Sequence, residues 1–134
     1  MISKEKITNE LYQSLGKLFY AIAIADKVVR PIEVAELNKN VHTFWLSVDG
    51  AEDEYGTDAA YQIAIVFDWL QQEEKESQHY FEEFAAFYKE HSQQFNLKIK
   101  QLTWKTACDI ALSFRSANTL ELNLLTKLRL LLEM

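Results

Sequence analysis

Apolar residues recur along this chain at steps of three and four from near one end to the other. Ile7, Leu11, Leu15, Leu18 and Ile22 form the first such row, which predicts an amphipathic helix over residues 3–25. A polar joint follows, Asp26-Lys27-Val28-Val29-Arg30. Pro31 then opens a second helix, because its fixed φ and missing N–H suit the first helical position. Val34, Leu37, Val41, Phe44 and Val48 give that helix its inner stripe. The acidic stretch SVDGAEDEYGTD holds two of the three glycines and predicts a loop, with Thr57 or Asp58 capping a third helix over 58–75. This third helix, with the run IAIVFDWL, is apolar around most of its circumference, which predicts a central, enclosed position.

Ser77 is placed to cap a fourth helix whose broad aromatic face, Tyr80, Phe81, Phe84, Phe87 and Tyr88, reads as core. Around residues 95–97 the chain turns into a fifth helix that runs to about 115. Asn118 or Thr119 then caps a sixth, with Leu122, Leu125, Leu128 and Leu132 inside and Leu124, Leu130 and Leu131 widening the apolar face. With three glycines and one proline among 134 residues there are few breakers, so the expected fold is all-α, about six helices in one domain over residues 1–134.

Charge narrows the partners. The net charge is −6, distributed as +2 over residues 1–30, −6 over 31–58, −5 over 59–94 and +3 over 95–134. An acidic middle with mildly basic ends lacks the concentrated basic face that phosphate binding needs, so nucleic acid is not an expected partner. No apolar run reaches the roughly 20 residues of a membrane span, and MISKEKITNELYQ lacks the apolar stretch of a secretory signal. With Cys108 as its lone cysteine, set among Ala107, Ile110 and Ala111, the chain has no intrachain disulfide. The expectation is a cytoplasmic protein with an inert, buried thiol.

Two stretches of the chain match without a gap. Residues 23–37, AIADKVVRPIEVAEL, align with residues 111–125, ALSFRSANTLELNLL, at an offset of 88, with Glu33 and Glu121 in register. Extended backwards, the alignment sets Leu11, Leu15, Phe19 and Ile22 against Ile99, Thr103, Ala107 and Ile110. Helices 1–2 and 5–6 are therefore expected as two pseudo-repeated pairs around a central hairpin of helices 3–4.

The segment Ala25-Asp26-Lys27, with Glu33 seven residues after the aspartate, resembles the Ala-Asp-Gly…Glu motif of TerB-like domains. These are helical modules named for bacterial tellurite-resistance proteins and present in co-chaperones related to DjlA. The resemblance covers both helix pairs. It departs from the family at Lys27, where the motif has Gly, and in the second copy at Phe114 and Arg115, which leaves Glu121. What it implies is a stress-response interaction module and, if the family's acidic positions hold a divalent cation, a metal site at Asp26 and Glu33.

The residues themselves support a structural role for that pair. Glu33 in the first turn of a helix interacts favourably with its N-terminus, and Asp26 can accept the N–H groups of the next turn. Asp49, Glu52, Asp53, Glu54 and Asp58 make an acidic loop, but Ala51 and Ala60 stand where an EF-hand needs ligands. Glu76-Ser77-Gln78-His79 has the Glu-x-x-His spacing of half a di-iron site; Lys39 before His42 and Tyr88 before His91 deny it a second half. Glycine-rich phosphate loops, nucleophile elbows and Cys/His clusters are absent, and carboxylate pairs such as Glu73/Glu76 read as the wet side of a helix.

The expected function is thus a non-catalytic interaction module acting through its acidic surface or its leucine-rich last helix. It would engage a protein partner without nucleic acid or membrane insertion, and the last helix would also serve a homodimer. The alternative is a divalent-cation module on Asp26 and Glu33, and a helical-bundle metalloenzyme ranks below both.

Overall fold

The protein is described by a computed structural model over residues 9–48, 59–73, 76–113 and 119–133. Among the described residues there are six α-helices and no strands: α1 Asn9–Ala23, α2 Pro31–Asn40, α3 Gln62–Leu70, α4 Ser77–Glu90, α5 Leu97–Leu112 and α6 Thr119–Leu132. The all-α architecture follows the periodicity. The acidic loop, the caps at Thr57, Asp58 and Asn118, and the second joint at Phe114 and Arg115 lie outside the described residues.

The central place belongs to α1. This helix packs against α3, α4, α5 and α6, and Leu11, Leu15, Leu18, Phe19 and Ile22 lie wholly out of solvent. Its remaining sides carry Ser14, Gly16, Ala21 and Ala23, also buried, whose small size lets neighbouring helices approach on every face. At Gly16 the approach is closest, since a Cβ there would lie 2.8 Å from the Ile63 carbonyl oxygen and 2.9 Å from Val66 Cβ on α3. The enclosed position expected of α3 is corrected by its exposed Ile65 (54%) and Trp69 (58%). Hydropathy around a helix counts methyl groups but not the room that small residues create, and that room decides which helix is surrounded.

Four aligned pairs, Leu11/Ile99, Leu15/Thr103, Phe19/Ala107 and Ile22/Ile110, are inaccessible on both helices, whereas others differ: Tyr20 and Gly16 are buried, Cys108 and Trp104 half-buried. The aromatic face of α4 is core, as expected, with Phe95 stacked edge-on against Phe84 (5.9 Å) and Tyr88 (4.8 Å).

Two local details depart from expectation. The second helix does not run evenly to Val48; after Asn40 it widens into a π-turn over Val41–Trp45, closed by the Leu46 N–H donating to the Val41 oxygen at 3.1 Å. The extra residue rotates the register, so Trp45 is wholly buried and Phe44 only half-buried. Trp45 Nε1 donates to Thr106 Oγ1 (3.0 Å), Thr106 Oγ1 donates to Asn40 Oδ1 (3.3 Å), and Asn40 Nδ2 donates to the Glu36 oxygen (3.0 Å). Ser77 does not cap α4; it is the first helical residue, and its Oγ donates to the Ala21 oxygen at 2.8 Å, tying α4 to α1. The cap that sequence reading passed over is Asn96, whose Oδ1 accepts the Ile99 N–H at 2.9 Å and starts α5.

Candidate functional site

The corner between α1 and α2 is built from its own short-range bonds. After α1 ends, the Lys27 N–H reaches back to the Ile24 oxygen (2.7 Å) and the backbone at Lys27 turns left-handed, with φ 74°. This is the position where the resembled motif has Gly, the residue that takes this conformation without a Cβ penalty. Asp26 Oδ1 accepts the Val28 N–H at 3.2 Å, and Arg30 then lies extended before Pro31. Glu33 Oε1 accepts the Arg30 N–H at 2.8 Å, the carboxylate half of a capping box; arginine, having no acceptor, cannot supply the other half.

The structure brings Asp26 and Glu33 together through Arg30. Arg30 Nη1 lies 2.9 Å from Asp26 Oδ2 and 3.7 Å from Glu33 Oε2, so a guanidinium occupies the space between the two candidate ligands. Glu33 is fully buried, and its Oε2 accepts no hydrogen bond. Burial raises the Glu33 carboxyl above its ordinary 4.5, the Arg30 N–H opposes that rise, and the negative charge of Glu121 adds to it. Glu121, the aligned position in the second stretch, is itself buried.

Beside this corner opens a cleft of about 550 Å³. Its apolar surface comes from Tyr20, Ile24 and Ala25 at the end of α1 and from Leu120 and Leu124 on α6. Around this surface stand Lys27 from the α1–α2 corner, Lys127 from α6, and Glu73 and Glu76 from the connection between α3 and α4. None of these four charged side chains makes an ion pair among the described residues; Lys127 Nζ only meets Gln78 Oε1 at 3.4 Å. Behind the cleft, Tyr20 stacks edge-on between Phe67 and Tyr80, each at 5.5 Å, and the buried Tyr80 hydroxyl has no hydrogen-bond partner among the described residues. Burial raises both phenols above their ordinary 10.0.

A second, more polar basin of about 360 Å³ lies between α1 and α4. Its charges close on one another: Lys17 Nζ meets Glu83 at 3.0 Å and His91 Nε2 meets Glu90 at 3.7 Å. His79, the histidine of the Glu-x-x-His spacing, turns to Glu83 at 2.9 Å. Among the described residues no group of three or more His, Cys, Asp or Glu side chains is arranged to hold a metal ion. Cys108 is half-buried, and burial followed by the Asp109 charge raises its thiol above its ordinary 9.0.

Sequence reading placed Asp26 and Glu33 but not the cleft. Glu73 and Glu76 were visible only as solvated helix charges, and Lys127 carried no signal. Three separated chain segments supply the cleft's charges, so no local spacing reveals them. The single local signal was Lys27 standing where the resembled motif has Gly. No family model, curated protein or solved structure matches the chain. Among the described residues no helix is long and apolar enough to cross a membrane.

Proposed function

We propose that the chain is a non-catalytic, TerB-like interaction module of the cytoplasm, of the tellurite and general stress-response type, that engages a protein partner. The observation that carries this reading is the cleft beside the first corner. Its apolar surface is ringed by Lys27, Lys127, Glu73 and Glu76, all without ion pairs among the described residues. Charges around an apolar centre suit a protein surface: the centre supplies affinity, and the rim sets orientation and partner choice. Affinity capture from tellurite-stressed and unstressed cells, with the wild type and Glu73→Lys/Glu76→Lys side by side, tests it. The expected result is a partner recovered by the wild type and lost by a variant of unchanged melting temperature. Identical recoveries from both proteins would overturn the assignment to this cleft.

A divalent-cation module at Asp26 and Glu33 is a second reading, favoured by the unbonded, buried Glu33 Oε2. Arg30 weighs against it, because its guanidinium already lies against both carboxylates. A thermal melt of metal-stripped protein with Ca²⁺, Mg²⁺ and Mn²⁺ separates the two. A rise specific to one ion and lost in Asp26→Asn would establish the cation site, and a flat response would remove it.

A further inference from the structure

We propose that the cleft is the contact surface of a homodimer. Two copies meet across a two-fold axis, with Lys27 and Lys127 of each facing Glu73 and Glu76 of the other. This inference rests on the reading of the cleft as an interaction surface and names its occupant.

Charge complementarity selects the second copy. Among the described residues the rim carries two cations, from the α1–α2 corner and α6, and two anions, from the α3–α4 connection. No ammonium among the described residues comes within 4.0 Å of these carboxylates. A uniformly basic partner would oppose both lysines, and a uniformly acidic one both glutamates. A two-fold axis places the same patch on both sides of an interface, so a patch holding both signs in equal number is complementary to itself.

The apolar surface fits the same arrangement. Leu120 is 51% exposed at the cleft edge, and Leu130 is 74% exposed further along α6. In a monomer Leu120 and the half-buried Ile24 in the cleft remain in contact with water, and a two-fold contact covers both. Lys27 adds an independent observation. It keeps a left-handed backbone that glycine would adopt without strain, and it is exposed with its side chain on the cleft rim. Strain of this kind persists where the side chain it presents is needed.

The test is a reciprocal charge swap read by light scattering and sedimentation from low to high micromolar concentration. Wild type is expected to be dimeric, with association weakening as salt rises. Lys27→Glu/Lys127→Glu brings acid against acid, and Glu73→Lys/Glu76→Lys brings base against base. Each variant alone is expected to lose about tenfold or more in dimer affinity. Mixed in equal amounts, the two variants regain the dimer, because every swapped group then meets its opposite in the other chain. Circular dichroism confirms that each is folded. Should a reversal unfold the chain, Lys27→Gln/Lys127→Gln and Glu73→Gln/Glu76→Gln take its place, with loss of the salt dependence as the readout.

A wild type that is monomeric throughout, variants that dimerise like the wild type, or a mixture that stays monomeric would each overturn the homodimer. A monomer that still captures a partner sensitive to these variants would reject the second copy and leave the interaction reading standing. A monomer with no such partner would reject both.

Discussion

The corner and the cleft lie side by side, share Ala25 and Lys27, and treat charge in opposite ways. At the corner, Arg30 lies between Asp26 and Glu33, its guanidinium against both carboxylates and its backbone N–H donating to Glu33 Oε1. In the cleft, Lys27, Lys127, Glu73 and Glu76 surround an apolar surface without making an ion pair among the described residues. The polar basin between α1 and α4 behaves like the corner, with Lys17 closed on Glu83. Closed charges define a joint, and open charges around apolar surface leave complementarity for another molecule to supply. Burial sharpens the difference: the corner's carboxylate at Glu33 cannot reach solvent, whereas Lys27 and Glu76 stand exposed.

The largest expected effect lies at Glu33. Replacing Glu33 with Ala strips the Arg30 N–H of its acceptor and removes a buried carboxylate from the guanidinium, an expected loss of about 1–3 kcal/mol. In a chain of this length that lowers the melting temperature by roughly 4 °C per kcal/mol, readable by calorimetry. An unchanged melt would mean that Glu33 does not hold the corner.

Glu33→Gln reads the protonation of the same group. Its carboxyl is raised above 4.5 in the folded chain, so the folded state binds the proton more tightly than the unfolded state does. Its contribution to stability is complete below pH 4.5 and is lost as pH rises through the raised folded value. Melting temperatures of wild type and Glu33→Gln, measured across this range, should differ in slope, with the wild type falling more steeply as pH rises. Parallel curves would show that Glu33 titrates as it does in the unfolded chain.

Lys27→Gly separates corner from cleft in one residue. The corner should gain about 0.5–1 kcal/mol, because glycine takes the left-handed backbone without strain but leaves the unfolded chain more freedom. The cleft loses a rim cation, so dimer affinity should fall while the melt of the monomer rises. A joint gain or a joint loss would contradict the division of roles. Asp26→Asn keeps the turn acceptor and removes one ion pair with Arg30, an expected cost of about 0.5–1 kcal/mol in a chemical denaturation series.

The smallest expected effect on stability is also the most informative about the cleft. Glu73→Lys/Glu76→Lys should change unfolding free energy by less than about 0.5 kcal/mol, since neither carboxylate has an ion-pair partner to lose among the described residues. A large destabilisation in denaturant would show that these two side chains belong to the fold.

Much of this molecule was legible before any coordinates. The three-and-four spacing through Leu11, Leu15, Leu18 and Ile22 located α1, and Pro31 after a polar joint marked the start of α2 to the residue. Asp26 and Glu33 stood out as a pair through the motif they resemble, and each makes bonds that run over only two to four residues. The π-turn at Val41–Trp45 was not visible, since an even stripe continues through it and only packing against Thr106 on α5 selects Trp45 over Phe44. The central helix was misassigned for a related reason. Small residues such as Gly16 and Ala21 are weak in hydropathy yet decisive in close approach.

Residue order fixes what depends on neighbours within about one helical turn, the helices and the corner bonds, but not every stripe: Leu122, expected inside α6, is 51% exposed, and Leu124 is buried. The tertiary structure alone decided which helix is surrounded and which charges share a cleft. Lys27, Glu73 and Lys127 are separated by dozens of residues, and their distances are set by how whole helices pack around α1.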